Sequence, residues 1–433
     1  MNVFEFRFQV RKTNLFLIML IILGLALRMM HLDGPPVWDE AYYITHSEEI
    51  KLNPFKHPVW GGHPPLYAYL LFGVHYLFGS SIFAYRMLSV VLGTLTIIVV
   101  FYFGKLLYDE TIGVFAAFIL SILPPHVIMS RLIMMDIILT FFSILALYGW
   151  IAGEMKDSRI LMIFGSLSGV CAILTKEPGI LIPIIFILWC LLQRKFSLYN
   201  ALAVLPAYFV YAIWKIWAVL ADYQYSAHGV NYTALDLITQ RAQFESLPIS
   251  YVKIFGEDYL LLFFIVLLLT TYTFRIRIQN RNIFNILLPV IFIVLLGVPL
   301  GFYLLQQFFS LPPTTNIIDL IALSLCFCVW GLLALHDLQN DAPEKLLFIW
   351  SLFLPVVFML NPKVSWQYLL PISPALAILI GKELLFSFTK NWNWKLLGII
   401  TISGSIYLFI AYDLFMSYLI FSQNDLLTFL LVA

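Results

Sequence analysis

The chain has 433 residues, is 62% hydrophobic and only 11% charged, and carries a net charge of +1. A soluble globular domain draws about a quarter of its residues from the charged types, so this composition excludes one and requires a chain dissolved in lipid. The near-neutral balance, without a basic stripe, excludes a nucleic-acid partner.

The first apolar segment, residues 14–31, follows Arg7, Arg11 and Lys12. Basic residues favour the cytoplasmic side, so the N-terminus is expected inside and Asp39 and Glu40 outside. The segment has basic flanks like a signal peptide but no small-residue cleavage pattern, and is read as a retained helix. Pro35 and Pro36 stop the helix and hold the carboxylates of Asp39 and Glu40 near the membrane surface. There a general base would take a proton from an acceptor hydroxyl; a solvated helix exit would look the same. Tyr42 and Tyr43 follow directly.

Residues 64–79 form the ambiguous stretch: about 16 residues at 1.5 Å rise give roughly 24 Å, short for a span. If it lies on the surface, 12 of the 18 Lys and Arg residues after position 100 become cytoplasmic, which the orientation rule prefers. About 13 spans then follow from hydropathy. Approximate bounds are 14–31, 86–107, 112–127, 137–153, 159–175, 179–193, 197–219, 258–274, 283–304, 316–335, 345–361, 368–386 and 396–418.

On this topology Asp39, His63, Arg86, Arg131, Asp136, Lys176 and Lys363 all reach the external face. Asp136, at the outer end of a span, is costly in lipid unless paired or wet; Arg131 is the partner nearest in sequence, and a functional role and an ion pair are both open. Arg86, Arg131 and Lys176 offer fixed cations for a departing phosphate, and snorkelling interfacial residues would look alike. His63 before Pro64-Pro65 would fix the surface helix, and Trp366 and Tyr368 are external aromatics available to a ligand or to an interfacial belt. A long external connection spans roughly 221–258. The four cysteines lie in apolar runs and read as small buried hydrophobes.

Together the motifs resemble the C-type (GT-C) glycosyltransferases, in particular the protein O-mannosyltransferase and aminoarabinose transferase superfamily (glycosyltransferase family 39-like). The likeness rests on Asp39-Glu40 after the first helix, His63-Pro64-Pro65-Leu66, Tyr85-Arg86-Met87, Pro124-Pro125 followed by Arg131 and Asp136, and Lys176 after the fifth span. It covers residues 14–192, with the first external loop at 32–85; residues 193–433 add further transmembrane helices to one GT-C domain.

The resemblance implies an all-α polytopic GT-C fold with surface-lying helices in the first external loop. It further implies an inverting transfer of a hexose or pentose from a polyprenyl-phosphate donor to a protein, glycan or lipid acceptor hydroxyl. Asp39 matches the family's general base, Asp136 its second external acid, and Arg86 and Lys176 its cations. Gly61-Gly62-His63 stands where aminoarabinose transferases place an acid and a lysine, which argues against a zinc site of that kind; no cofactor is required, and a divalent cation stays open. The Trp-Trp-Asp signature of oligosaccharyltransferases is absent. A transporter or flippase for a lipid-linked sugar is the alternative, disfavoured because no internal repeat is visible.

Overall fold

The computed structural model describes residues 3–220 apart from 31, 37–38 and 53–62, two short strands, a few helical residues between 343 and 354, and residues 370–390. Among the described residues, ten α-helices lie between Val3 and Leu220: α1 (Val3–Arg28), α2 (Glu40–Leu52), α3 (Leu66–Phe78), α4 (Ile82–Leu107), α5 (Glu110–Ile122), α6 (Pro124–Met129), α7 (Met135–Lys156), α8 (Arg159–Thr175), α9 (Leu181–Leu192) and α10 (Leu198–Leu220). A 3₁₀ turn, Glu177–Ile180, precedes α9. After α10 comes an antiparallel hairpin of β1 (Gln224–Ala227) and β2 (Val230–Thr233), with Gln224 opposite Thr233; it lies inside the expected external connection. The last described helix is α11 (Ser373–Lys390). Among the described residues, Ile82–Leu107, Met135–Lys156 and Leu198–Ala218 are long and apolar enough to cross a membrane.

Each of the first seven expected spans coincides with a helix, with one correction. The expected span 112–127 is broken at Leu123: α5 ends there and Pro124 occupies the first turn of the separate helix α6. Proline suits a first helical turn, where its missing N–H costs nothing, but it cannot continue a preceding helix. The expected spans 258–274, 283–304, 316–335 and 396–418 lie outside the described residues, and 345–361 does so for the most part.

The helices form one bundle around a core that includes Ile97, Phe103, Leu120, Trp150, Phe186 and Trp350, with α11 packed against α5. Helices α7 and α8 approach closely because glycines meet: a Cβ on Gly149 would lie 2.6 Å from the Cα of Gly165. Exposed apolar side chains such as Leu15, Phe16, Ile18, Met19 and Ile22 on α1 and Ile160, Ile163 and Leu167 on α8 provide a lipid-compatible exterior.

Which end each helix occupies follows from contacts between its termini. Leu32 and Gly34, after α1, accept hydrogen bonds from Arg86 at the start of α4. The connection that carries α2 and α3 therefore begins and ends at the end of the bundle where α1 finished. At the other end, Lys105 and Glu110 pair across the α4–α5 turn at 2.6 Å. The Lys105 hydrogen bond, with a second from Thr13 of α1, holds the Glu110 carboxyl below its usual range. Helices α5 to α8 alternate in the same way. Asp157, in the left-handed conformation, turns α7 into α8 at the Lys105 end, and Lys176 ends α8 at the Arg86 end.

An arginine buried in the last turn of α1 pins this arrangement. Arg28 donates to the carbonyls of Gly24, Ser121 and Leu120, to Ser130 Oγ, and to Nδ1 of His126 at 2.9 Å. A guanidinium has no acceptor, so Nδ1 of His126 accepts. Gly93 leaves the room that Ser130 fills, since any Cβ there would collide with Ser130 Oγ.

Candidate active site

The end of the bundle where α1 finishes gathers the charged residues that the sequence placed outside. Asp39 is exposed in the turn before α2, and its carbonyl accepts from Tyr43 N in the first turn of that helix. Glu40, the next residue, is fully buried. Two neighbours thus have opposite environments, because α2 packs one side of its first turn against α3 and the α6–α7 segment.

Glu40 is held by Arg86, which lies 3% exposed on α4. The pair is bidentate, with Nε to Oε1 at 2.9 Å and Nη2 to Oε2 at 2.6 Å. The remaining guanidinium hydrogens go to the carbonyls of Leu32, Gly34 and Pro35. Arginine has five N–H donors, and all five are used. In this arrangement Arg86 ties the loop after α1 to α2. Glu40 Oε1 also accepts from Ile133 N at 2.8 Å, which fastens the segment leading into α7.

Asp136, in the first turn of α7, is fully buried and pairs with Lys176 Nζ at 2.8 Å; Lys176 is 2% exposed. The expected partner, Arg131, instead donates from Nε to the carbonyl of Leu27 and contacts Met30 Sδ. Lys176 reaches Asp136 because α8 ends just before it and Lys176 takes an extended conformation ahead of the 3₁₀ turn that begins at Glu177. Two buried ion pairs, from four separate segments, thus lie at this end of the bundle, with the exposed Asp39 next to Glu40.

His63, 20% exposed, lies 3.0 Å from Glu177 through Nδ1. This joins the close of the first loop to the turn beside Lys176, through a partner that the sequence did not indicate. Tyr43 is buried and meets Tyr67 edge-on at 5.3 Å, and Tyr42 flanks Tyr43 at 6.0 Å. Sequence reading missed Tyr67, Glu177 and Arg28; a carboxylate just after Lys176 and an arginine inside an apolar run were the available signals. Trp366, Tyr368 and Lys363 lie outside the described residues. Among the described residues no three His, Cys, Asp or Glu side chains converge as a metal-ligand set, and Glu40 and Asp136 are each committed to a cationic side chain.

Residues 62–219 match the family model of dolichyl-phosphate-mannose-protein mannosyltransferases. That interval holds His63, Arg86, Arg131, Asp136 and Lys176, on which the resemblance rested. The chain is similar to C-type glycosyltransferases and shares their fold. It superposes on the crystal structure of ArnT from Cupriavidus metallidurans bound to undecaprenyl phosphate with a TM-score of 0.56, at 17% identity, over 90% of this chain and 63% of that one. The oligosaccharyltransferase AglB from Archaeoglobus fulgidus, in complex with an inhibitory peptide and a dolichol-phosphate, gives 0.54 at 14% identity over 95% and 54% of the two chains. A polyprenol-phosphate-mannose–protein mannosyltransferase of Corynebacterium glutamicum is 30% identical over 122 residues, 25% of this chain and 23% of that protein. The chain spans less than two thirds of the length of each of these relatives. The expectation of a helical chain with the GT-C fold is borne out.

Proposed function

We propose that this chain is an integral-membrane inverting glycosyltransferase, moving a hexose or pentose from a polyprenyl-phosphate donor to an acceptor hydroxyl on the external or luminal face. The observation that carries this reading is the contrast between Asp39 and the other two acids of the site. Glu40 and Asp136 are buried and committed to Arg86 and Lys176, whereas Asp39, next to Glu40 at the start of α2, is exposed.

In this scheme Asp39 accepts the proton of the acceptor hydroxyl as its oxygen attacks the anomeric carbon. The bond from that carbon to the phosphate oxygen breaks, and polyprenyl phosphate leaves with the bonding pair. Arg131 and Lys176 are the cations assigned to the phosphate, and the Glu40–Arg86 pair holds Asp39 in place. The donor's tail stays in lipid between helices, so no nucleotide is needed at the site. The relatives bind undecaprenyl phosphate or dolichol-phosphate, or are named for a polyprenol-phosphate-mannose donor, which supports the donor class.

The same reading completes the topology with about 13 spans, a cytoplasmic N-terminus and the site outside, as the basic residues require. The test is transfer by the purified full-length chain in lipid, supplied with radiolabelled polyprenyl-phosphate hexoses and pentoses and a mixture of protein, glycan and lipid acceptors. Label should move from one of these donors into an acceptor; no movement from any of them would overturn the reading.

A further inference from the structure

The end of the bundle opposite the candidate active site carries four cations that the scheme above does not use. Lys156 closes α7, Arg159 opens α8, and Arg194 and Lys195 occupy the turn from α9 to α10. Ser166, two turns into α8, hydrogen-bonds the carbonyl of Ala203 near the start of α10, which sets that turn at the end where α8 begins. All four side chains are exposed, and among the described residues none makes an ion pair. Against them stand Glu154 and Asp157, which flank Lys156 in sequence; Asp109 caps α5 and Glu110 is taken by Lys105.

The backbone of the α9–α10 turn is held on both sides. Lys195 N donates to the carbonyl of Cys190 at 2.9 Å and Arg194 N to that of Leu191 at 3.0 Å, a paired closure of a helix end whose left-handed residue is usually glycine. Here that residue is Arg194, at φ 54°. A side chain is strained in this conformation and glycine is not. Asn200 Nδ2 donates to the carbonyl of Lys195 at 3.1 Å and ties the turn to α10. An exposed guanidinium with no hydrogen bond among the described residues thus occupies a position that would be easier for glycine.

The cations stand among exposed apolar side chains. Leu192, Phe196 and Leu198 surround Arg194 and Lys195 in sequence, and Met155 and Ile160 flank Lys156 and Arg159. At the edge of a bilayer such apolar groups lie among acyl chains while Lys and Arg heads reach the phosphates. Basic groups between helix ends attract anionic headgroups there, each cation strengthening binding about fivefold.

We propose that the Arg194–Lys195 turn, with Lys156 and Arg159 at the same end, binds the headgroup phosphate of an anionic glycerophospholipid in the leaflet opposite the candidate active site. Arg194 supplies the planar donor fork that matches a phosphodiester, and Lys195 a second charge. The inference rests on the chain's crossing a bilayer and is independent of glycosyl transfer.

The test titrates dioleoyl phosphatidylglycerol, with dioleoyl phosphatidylcholine in parallel, into the full-length protein in nonionic detergent and counts retained lipid by native mass spectrometry. Wild type should hold phosphatidylglycerol at least about tenfold more tightly than phosphatidylcholine, and less tightly as salt rises. Arg194→Gly should bind it about fivefold more weakly and Arg194→Gly/Lys195→Gln about 25-fold, while Lys105→Gln, which removes a charge at the same end but outside the turn, should bind like wild type. Because glycine suits the left-handed position, the unfolding midpoint of Arg194→Gly should not fall. If it does, Lys195→Gln alone should still show the loss of about fivefold, and binding like wild type there overturns the proposal. Equal retention of the two lipids by wild type, or binding by the double variant within about twofold of Lys105→Gln, overturns it as well. So does displacement of the lipid by an equal concentration of glycerol 3-phosphate, which would assign the turn to a free phosphate.

Discussion

Replacing Arg86 by methionine keeps most of the side chain's length and removes five hydrogen bonds, two of them charge-assisted contacts with Glu40 at 2.6 and 2.9 Å. Glu40 stays fully buried and loses its cation. Removing one partner of a buried ion pair costs roughly 3–5 kcal/mol, and Arg86 and Glu40 are both too enclosed for solvent to screen much of that. For a chain this large the loss corresponds to a fall of about 3–6 °C in the unfolding midpoint. Glu40→Met combined with Arg86→Met removes both charges, so the double variant should lose about 2 kcal/mol less than the sum of the singles. The assay is fluorescence-detected thermal unfolding of the purified protein in one detergent, with midpoints compared at a single scan rate. An Arg86→Met midpoint within about 1 °C of wild type, or strict additivity in the double variant, would refute the structural role assigned to this pair.

Lys176→Met should abolish more than about nine tenths of transfer and lower the unfolding midpoint, because it strands Asp136 in a fully buried position; a variant with normal turnover would remove Lys176 from the site. Glu177→Gln, at a partly exposed contact with His63, should cost at most about 1 kcal/mol of stability, read from the same midpoints, and a collapse of the fold would contradict that. With the four native cysteines replaced by alanine, single cysteines at the exposed positions Ser81 and Ser197 should react with an impermeant thiol reagent from opposite sides. Labelling of both from one side would contradict the alternation of helices.

Hydropathy made the first seven apolar segments legible, because each is a long run that must satisfy its backbone as a helix. It missed the break at Leu123, where apolar character continues across a point at which Pro124 starts a new helix. The contacts of Arg86 with Leu32 and Gly34, which bring the start of α4 back to the end where α1 finishes, have no local signal in the short, proline-led stretch at 64–79.

Within the site, the residues were legible but their partners were not. Sequence proximity suggested Arg131 for Asp136, whereas the pair forms with Lys176, 40 residues away, through the packing of α7 on α8. Arg86 has the charge to bind phosphate, and only the five acceptors gathered around it reveal that it serves Glu40 and the loop after α1. Tyr67 reads as one more aromatic of a membrane interface until its burial against Tyr43 and the segment leading into α7 is known. No local pattern reports such contacts, because they join segments that only the fold brings together.

The central claim is that Asp39, and not its neighbour, removes the proton. Initial rates of sugar transfer from a polyprenyl-phosphate donor should be compared between wild type, Asp39→Asn and Asp39→Glu, with unfolding midpoints confirming that each variant is folded. A general base contributes about 10²–10⁴-fold, so Asp39→Asn should fall by at least about a hundredfold in kcat at an unchanged midpoint, with Asp39→Glu keeping part of the rate. Full transfer by folded Asp39→Asn would contradict the account.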